Sequence, residues 1–329
     1  MKYIEFINNL IKQEVSGAEN LVLFGQNISA GSCLGGLTRN LSVSNNSKII
    51  NSTNTENSLC GFGFGLMMNG VSSVFFMKQL DFLLLGIDHL VNTFNVIRNT
   101  QFKNSEEVDL GSFTIFPITV DNGFQGPQSS LNNFADFCSI ARIPGYTITN
   151  KIDAEKIISS KLISSGFRIL SVSQRLFKEE IISPPELVYT NYDNSVFQYT
   201  QGDDVTIVCF NFSFPNGWNL YNDLKKLGMS VSLFNVNSTT PPARTGGGID
   251  WDKIISDINI SKKLIVIDDS KSENVACDSL LQHIQDDLIL KKKIVIKRFL
   301  EDDPEDSWVH PVSDIMTINS EKVYDELLD

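Results

Sequence analysis

An α/β fold with two largely parallel sheets, shared between two domains, follows from three observations. Short apolar runs rich in β-branched residues alternate with helical periods from end to end, the pattern that builds parallel sheets through helical crossovers. The length of 329 residues suffices for two domains, each with its own core. One stretch alone breaks the alternation, between Phe177 and Asp204, where paired prolines and turn formers carry no period.

Strand candidates run in the order LVLF from Leu21, VSSVFF from Val71, FTIFPITV from Phe113 and FRILSVS from Phe167. VTIVCF from Val205, VSLFNV from Val231, KLIVIDD from Lys263 and KIVIKRF from Lys293 follow. The aperiodic stretch reads as a linker over residues 181–203. It divides an N-terminal α/β domain, 1–180, from a smaller C-terminal one, 204–329, both within ordinary domain size.

Apolar residues make up 42% of the chain and charged ones 20%, the usage of a globular protein. A formal charge of -12 and a pI near 4.8 repel phosphate backbones and anionic headgroups, and KKK at 291–293 is the longest basic run, so nucleic acid is not an expected partner. The five cysteines are odd in number and form no CxxC pair, which encodes neither a zinc site nor a disulfide framework; no metal ligand set is assigned to this chain. The N-terminal MKYIEFINNLIKQE alternates in a helical period and carries Glu5 instead of an unbroken apolar stretch, so a cytoplasmic location is expected. Asn69, Ser72, Asp88 and His89 interrupt the apolar runs before the roughly 20 residues that a membrane span requires, and no membrane segment is expected.

The stretch TNTENSLCGFGFGLMMNGVSSVFFMK, Thr53 to Lys78, holds one carboxylate, Glu56, in front of a long uncharged segment. Thr53-x-x-Glu56 fits a capping box ahead of a helix. On the pattern alone the cap is favoured; the functional alternative is an acid at a helix start facing an apolar pocket, where desolvation raises its pKa and lets it share a proton with a ligand nitrogen. Periodicity does not choose between these readings. GFGFG at Gly61 to Gly65 misses the dinucleotide fingerprint by one position, and the i, i+4 glycines Gly61 and Gly65 instead give one helix face a notch for close packing. RTGGGID at Arg244 to Asp250 lacks the Lys-Ser/Thr of a phosphate loop and reads as a flexible loop.

The order NLVLFGQNISAGSCLGGLTRNL, TENSLCGFGFGLMMNGVSSVFF, LDFLLLGIDHLVN and ARIPGYTI resembles the β subunit of thiamine diphosphate-dependent 2-oxoacid dehydrogenases, such as the first component of pyruvate dehydrogenase, within the transketolase-like superfamily. VSLFNVNSTTPPA, ISKKLIVIDDS and IVIKRFLEDDPEDSWVHPVSD continue the same order, so the resemblance spans almost the whole chain. It implies a pyrimidine-binding domain followed by a transketolase C-terminal-like domain. It also implies that Glu56 hydrogen-bonds the cofactor's aminopyrimidine, that Phe82 packs on the pyrimidine face and that Lys78 borders the ring. The protein would then supply a proton relay and the cofactor an electron sink.

Thiamine diphosphate needs Mg²⁺ at its diphosphate, held in these families by Gly-Asp-Gly followed further on by Asn; here GDD at Gly202 is a turn. The resemblance therefore implies half an active site, completed by an α-type subunit in an α2β2 heterotetramer. This chain also departs from the family. Where relatives place a proton-handling histidine it reads QGPQSSLNN, leaving Gln128 or Ser129 at the catalytic position, and neither titrates near neutrality. Gly25-Gln26-Asn27 stands for an expected Gly-Glu-Asp, and His89 for a usual glutamine.

The expected function is a β-type subunit that decarboxylates a 2-oxo acid and transfers the acyl unit, with carboligation open because the histidine is missing. The alternatives are the C-terminal subunit of a split transketolase that moves a ketol unit of a ketose, and a non-catalytic regulatory homologue. Retention of Glu56 argues against the last.

Overall fold

The computed structural model describes residues 1–103, 110–122, 132–238, 251–271, 276–284, 290–298 and 316–328. The first sheet holds β1 (Leu21–Gly25), β2 (Lys48–Asn51), β3 (Ser72–Met77), β4 (Ser112–Thr119), β5 (Gly145–Ile148) and β6 (Gly166–Ser173), in the order β2-β1-β3-β4-β6-β5. Every pairing within it is parallel. Strands β3, β4 and β6 are buried almost throughout because helices cover both faces, and such strands read as continuous apolar runs. Helices α1 (Tyr3–Ser16) and α5 (Lys151–Lys161) cover one face. The other face receives α2 (Glu56–Met68), α3 (Phe94–Lys103) and α4 (Phe134–Ala141), through a phenylalanine cluster that includes Phe24, Phe64, Phe75, Phe113 and Phe167.

In that cluster Phe24 stacks on Phe75 at 5.1 Å between ring centroids, and Phe64 meets Phe113 edge-on at 5.0 Å. Gly63 makes the close approach of α2 to this layer possible, since a Cβ there would lie 2.2 Å from the Phe113 ring. The notch expected at Gly61 and Gly65 is not closed by another backbone among the described residues. Gly61 faces the His89 ring, and Gly65 is exposed with no atom within 4 Å of a built Cβ.

The second sheet contains β7 (Tyr189–Thr190), β8 (Val196–Thr200), β9 (Val205–Phe210), β10 (Val231–Val236), β11 (Lys263–Asp268) and β12 (Lys292–Lys297), ordered β12-β11-β9-β10-β8-β7. Its four central and edge strands β12, β11, β9 and β10 are parallel, while β8 and β7 add on antiparallel. Helix α6 (Phe214–Lys226), with α9 (Ser320–Leu328) against it, covers one face; α7 (Trp251–Ser261) and α8 (Asp278–Ile284) cover the other.

The stretch 181–203, read as a linker, contains β7 and β8. VFQYT is a buried strand whose polar members hid the alternation. Gln198 turns inward and donates to the Asp257 carboxylate at 2.8 Å, and Tyr199 accepts from Asn150 at 2.7 Å. The core of α1 and α5 runs without a break into Phe197, Tyr199 and α6, so the two sheets share one apolar cluster. Among the described residues no single helix is long and apolar enough to cross a membrane.

Candidate functional site

In open parallel sheets, ligands bind beyond the carboxyl ends of the strands. In this chain the carboxyl ends of the two sheets face each other. Thr147 in β5 donates its amide to the Asn237 carbonyl just past β10, at 2.8 Å, and its hydroxyl to the Asn211 carbonyl just past β9, at 2.9 Å. Arg175, following β6, forms an ion pair with Asp269, following β11, and lies 3.7 Å from Asp121, following β4. Asn132 ties the same seam, accepting from Asn211 at 2.7 Å and from the Lys271 amide at 2.8 Å. Burial raises the Asp121 carboxyl, with Arg175 opposing it.

The carboxyl ends of β1, β2 and β3 differ in kind. Gln26 Oε1 follows β1, Ser52 Oγ follows β2, and Gln79 Oε1 with both Asp81 oxygens follow β3; all are buried without a hydrogen-bond partner. Buried polar atoms in native proteins are ordinarily bonded, and each exception calls for a cause. Here four exceptions occupy one edge.

Glu56 lies at the same edge, as the first residue of α2, and is 7% exposed. The capping-box reading fails on the geometry. Thr55, not Thr53, precedes the first helical residue, and no side chain caps the helix. Glu56 thus sits in the first turn, where the helix dipole favours a carboxylate, and its side chain has no hydrogen-bond or ion-pair partner among the described residues. Its charge adds to burial in pushing the Cys60 thiol up to about 12, with burial the larger cause.

Phe82 is half-buried in the 3-10 segment Leu80–Gly86, packed against the phenylalanine layer. Lys78 is exposed at the end of β3. The structure therefore brings Glu56, Lys78 and Phe82 to the edge formed by β1, β2 and β3. Gln128 and Ser129 lie outside the described residues, as do RTGGGID and His310. His89, in a π-turn over His89–Thr93, binds Thr93 through Nδ1 at 2.8 Å. Ser52, Gln79 and Asp81 were missed in the sequence, and Gln26 was noticed only as a departure. The signal that would have found them is position: each is a polar residue in the first few places after a strand of a parallel sheet.

The atoms left unpaired at this edge suit a particular ligand chemistry. Amide oxygens and carboxylates are acceptors, and with the half-buried Phe82 ring on the same edge they suit a planar heterocycle that offers N–H donors. An aminopyrimidine meets that description. A diphosphate does not, since among the described residues no group of three or more His, Cys, Asp or Glu stands ready for the metal it would bring.

A transketolase-like α/β fold is the class that these paired sheets define. A split-gene transketolase, described as an inactive β4 tetramer, superposes with a TM-score of 0.62 at 11% identity, covering 98% of this chain and 97% of that one. The particular likeness in sequence is to pyruvate dehydrogenase E1 component subunit beta. The Staphylococcus aureus protein is 19% identical over 331 residues, covering 96% of both chains. The Staphylococcus epidermidis protein matches with the same identity and coverage. These matches bear out the resemblance read from the sequence. No protein-family model matches the chain.

Proposed function

We propose that this chain is the β-type subunit of a heteromeric thiamine diphosphate-dependent enzyme that decarboxylates a 2-oxo acid and passes on the acyl unit, with carboligation to a carbonyl acceptor as the transfer step. The observation that carries this reading is Glu56, an almost buried acid whose side chain caps nothing and pairs with nothing among the described residues, at the edge where the orphaned acceptors gather. Glu56, Phe82 and Lys78 would hold the pyrimidine end of the cofactor. When bound, the cofactor supplies the electron sink for cleaving and forming bonds next to a carbonyl.

The chain's own residues do the rest. Glu56 holds a proton between its carboxylate and a ring nitrogen. Phe82 and the phenylalanine layer exclude water from that exchange. The Gln26 and Gln79 carbonyl oxygens orient N–H donors of the ring.

A partner completes the site. The name of the similar β chains implies an α-type counterpart, and the split transketolase is described as inactive when its β chains assemble alone. Phe62, Met68, Leu84 and Leu85, all exposed on α2 and the 3-10 segment, supply an apolar face for that counterpart. The second reading, a split transketolase moving a ketol unit, is favoured by the same structural neighbour and uses the same residues.

The test is Glu56→Gln in the complex assembled with an α-type subunit bearing Gly-Asp-Gly followed by Asn. Turnover of 2-oxo acids and of ketoses should fall by about 10²-fold or more while circular dichroism stays unchanged. Near wild-type turnover would refute the reading.

A further inference from the structure

We propose that Asp81 is the acid–base residue of this site, exchanging a proton with the substrate's carbonyl oxygen, the task that Gln128 and Ser129 lack the chemistry to perform. The inference rests on the site being that of a thiamine diphosphate enzyme. Its ground is geometric. Asp81 is 5% exposed, and both of its carboxyl oxygens are buried without a hydrogen-bond partner among the described residues. It stands directly before Phe82 in the 3-10 segment Leu80–Gly86, at the carboxyl end of β3. The segment that carries Asp81 packs against the first turns of α2, where Glu56 stands, because a Cβ at Gly86 would lie 2.5 Å from Cys60 Sγ and 3.5 Å from the Glu56 carbonyl oxygen.

A structural acid would be bonded on all sides, as others in this chain are. Leaving a buried carboxyl unpaired costs stability, and native proteins keep such groups at sites that act. The titratable groups on the surrounding elements are Glu56 and Cys60 on α2, Lys78 before the segment, Asp88 and His89 after it, and Lys271 beyond β11; β4 contributes none. Burial is the largest influence on Asp81 and raises its carboxyl to about 7, with the charge of Lys271 opposing it. Asp81 is thus divided between acid and carboxylate near neutrality, the condition under which one group can both give and take a proton.

The step balances without a further reagent. As a carbon nucleophile adds to the substrate carbonyl, the π pair moves onto oxygen, the O–H bond of Asp81 breaks and a new O–H bond forms on that oxygen. Asp81 is left as a carboxylate within the field of Lys271. When the bond to the departing carbon breaks and the carbonyl re-forms, the hydroxyl proton returns to Asp81.

Two measurements test this. Carboxyl ¹³C NMR of the full chain, with the resonance assigned through Asp81→Asn, should show Asp81 titrating near neutrality; titration in the ordinary aspartate range would overturn the proposal. In the assembled complex the pH profile of kcat should carry a limb near neutrality that Asp81→Asn removes, with kcat lowered by about 10²-fold, KM little changed and the melting temperature at pH 6 not reduced. An unaltered profile in Asp81→Asn, alongside a dead Glu56→Gln, would overturn the role of Asp81 alone. An active Glu56→Gln would overturn the underlying reading and this proposal with it.

Discussion

Asp153 and Asp81 are both buried aspartates near the carboxyl edge of the first sheet, and they are treated in opposite ways. Asp153 accepts from the Thr149 amide at 3.0 Å, the Thr149 hydroxyl at 2.6 Å, the Asn150 amide at 3.0 Å and side chain at 2.9 Å, and Asn237 at 2.9 Å. Burial still pushes its carboxyl up to about 6 against those bonds. Asp81 accepts from no neighbour, and Gln26, Ser52 and Gln79 leave orphaned atoms beside the adjoining strands. The carboxylate at the edge near β5 is satisfied within the chain, although Asn211 and Asn235 each keep an orphaned Oδ1 there, and the network welds the two sheets together. The edge at β1, β2 and β3 is left unfinished, which is how a site made for a ligand and a second subunit differs from a core.

Removing the finished network should have the largest effect on stability. Asp153→Ala leaves several buried donors without an acceptor at about 1 to 3 kcal/mol each, so urea denaturation should show a loss of roughly 3 to 5 kcal/mol. A loss below about 1 kcal/mol would erase the contrast with Asp81.

The two faces of α2 give the next contrast. Gly63→Ala places a methyl group 2.2 Å from the buried Phe113 ring, an overpacking worth about 1 to 3 kcal/mol that thermal melting of the isolated chain will register. Gly65→Leu meets nothing within the chain, so the isolated protein should melt as before or slightly higher, glycine being the poorer helix former. In the complex it should weaken assembly by a similar 1 to 3 kcal/mol per interface, seen as separate subunits on sizing chromatography. A fully assembled, active Gly65→Leu complex would remove this face from the interface.

Asp81 in the isolated chain gives a contrast that depends on pH. Its folded carboxyl is raised, so the folded state holds the proton more tightly than the unfolded one, and stability falls as pH rises from about 4 to about 7. Asp81→Asn removes that fall. The variant should therefore gain melting temperature over wild type at pH 8 and not at pH 4; equal behaviour at both would mean that Asp81 titrates normally.

The sheet cores were legible in the sequence because β3, β4, β6, β9, β10 and β11 are covered on both faces and leave long apolar runs. Short KIIN and GYTI were passed over as strands, since an edge strand with exposed Lys48 and a four-residue strand after Pro144 carry too little pattern. The strand VFQYT was hidden in a supposed linker by polar residues whose partners, Asp257 and Asn150, are distant in the chain. Glu56 and Phe82 were found by resemblance, while a local motif misled: Thr53-x-x-Glu56 fits a cap that the backbone does not form. Asp81 was passed over because nothing in a sequence distinguishes a bonded buried acid from an orphaned one.

The central claim is that the unfinished edge is half of a cofactor site. Titration calorimetry of thiamine diphosphate with Mg²⁺ tests it most directly, on the isolated chain and on the complex with its α-type partner. The account predicts weak or undetectable binding to the chain alone, affinity on the order of micromolar in the complex, and loss of that affinity in Glu56→Gln. Micromolar binding by the isolated chain would contradict it.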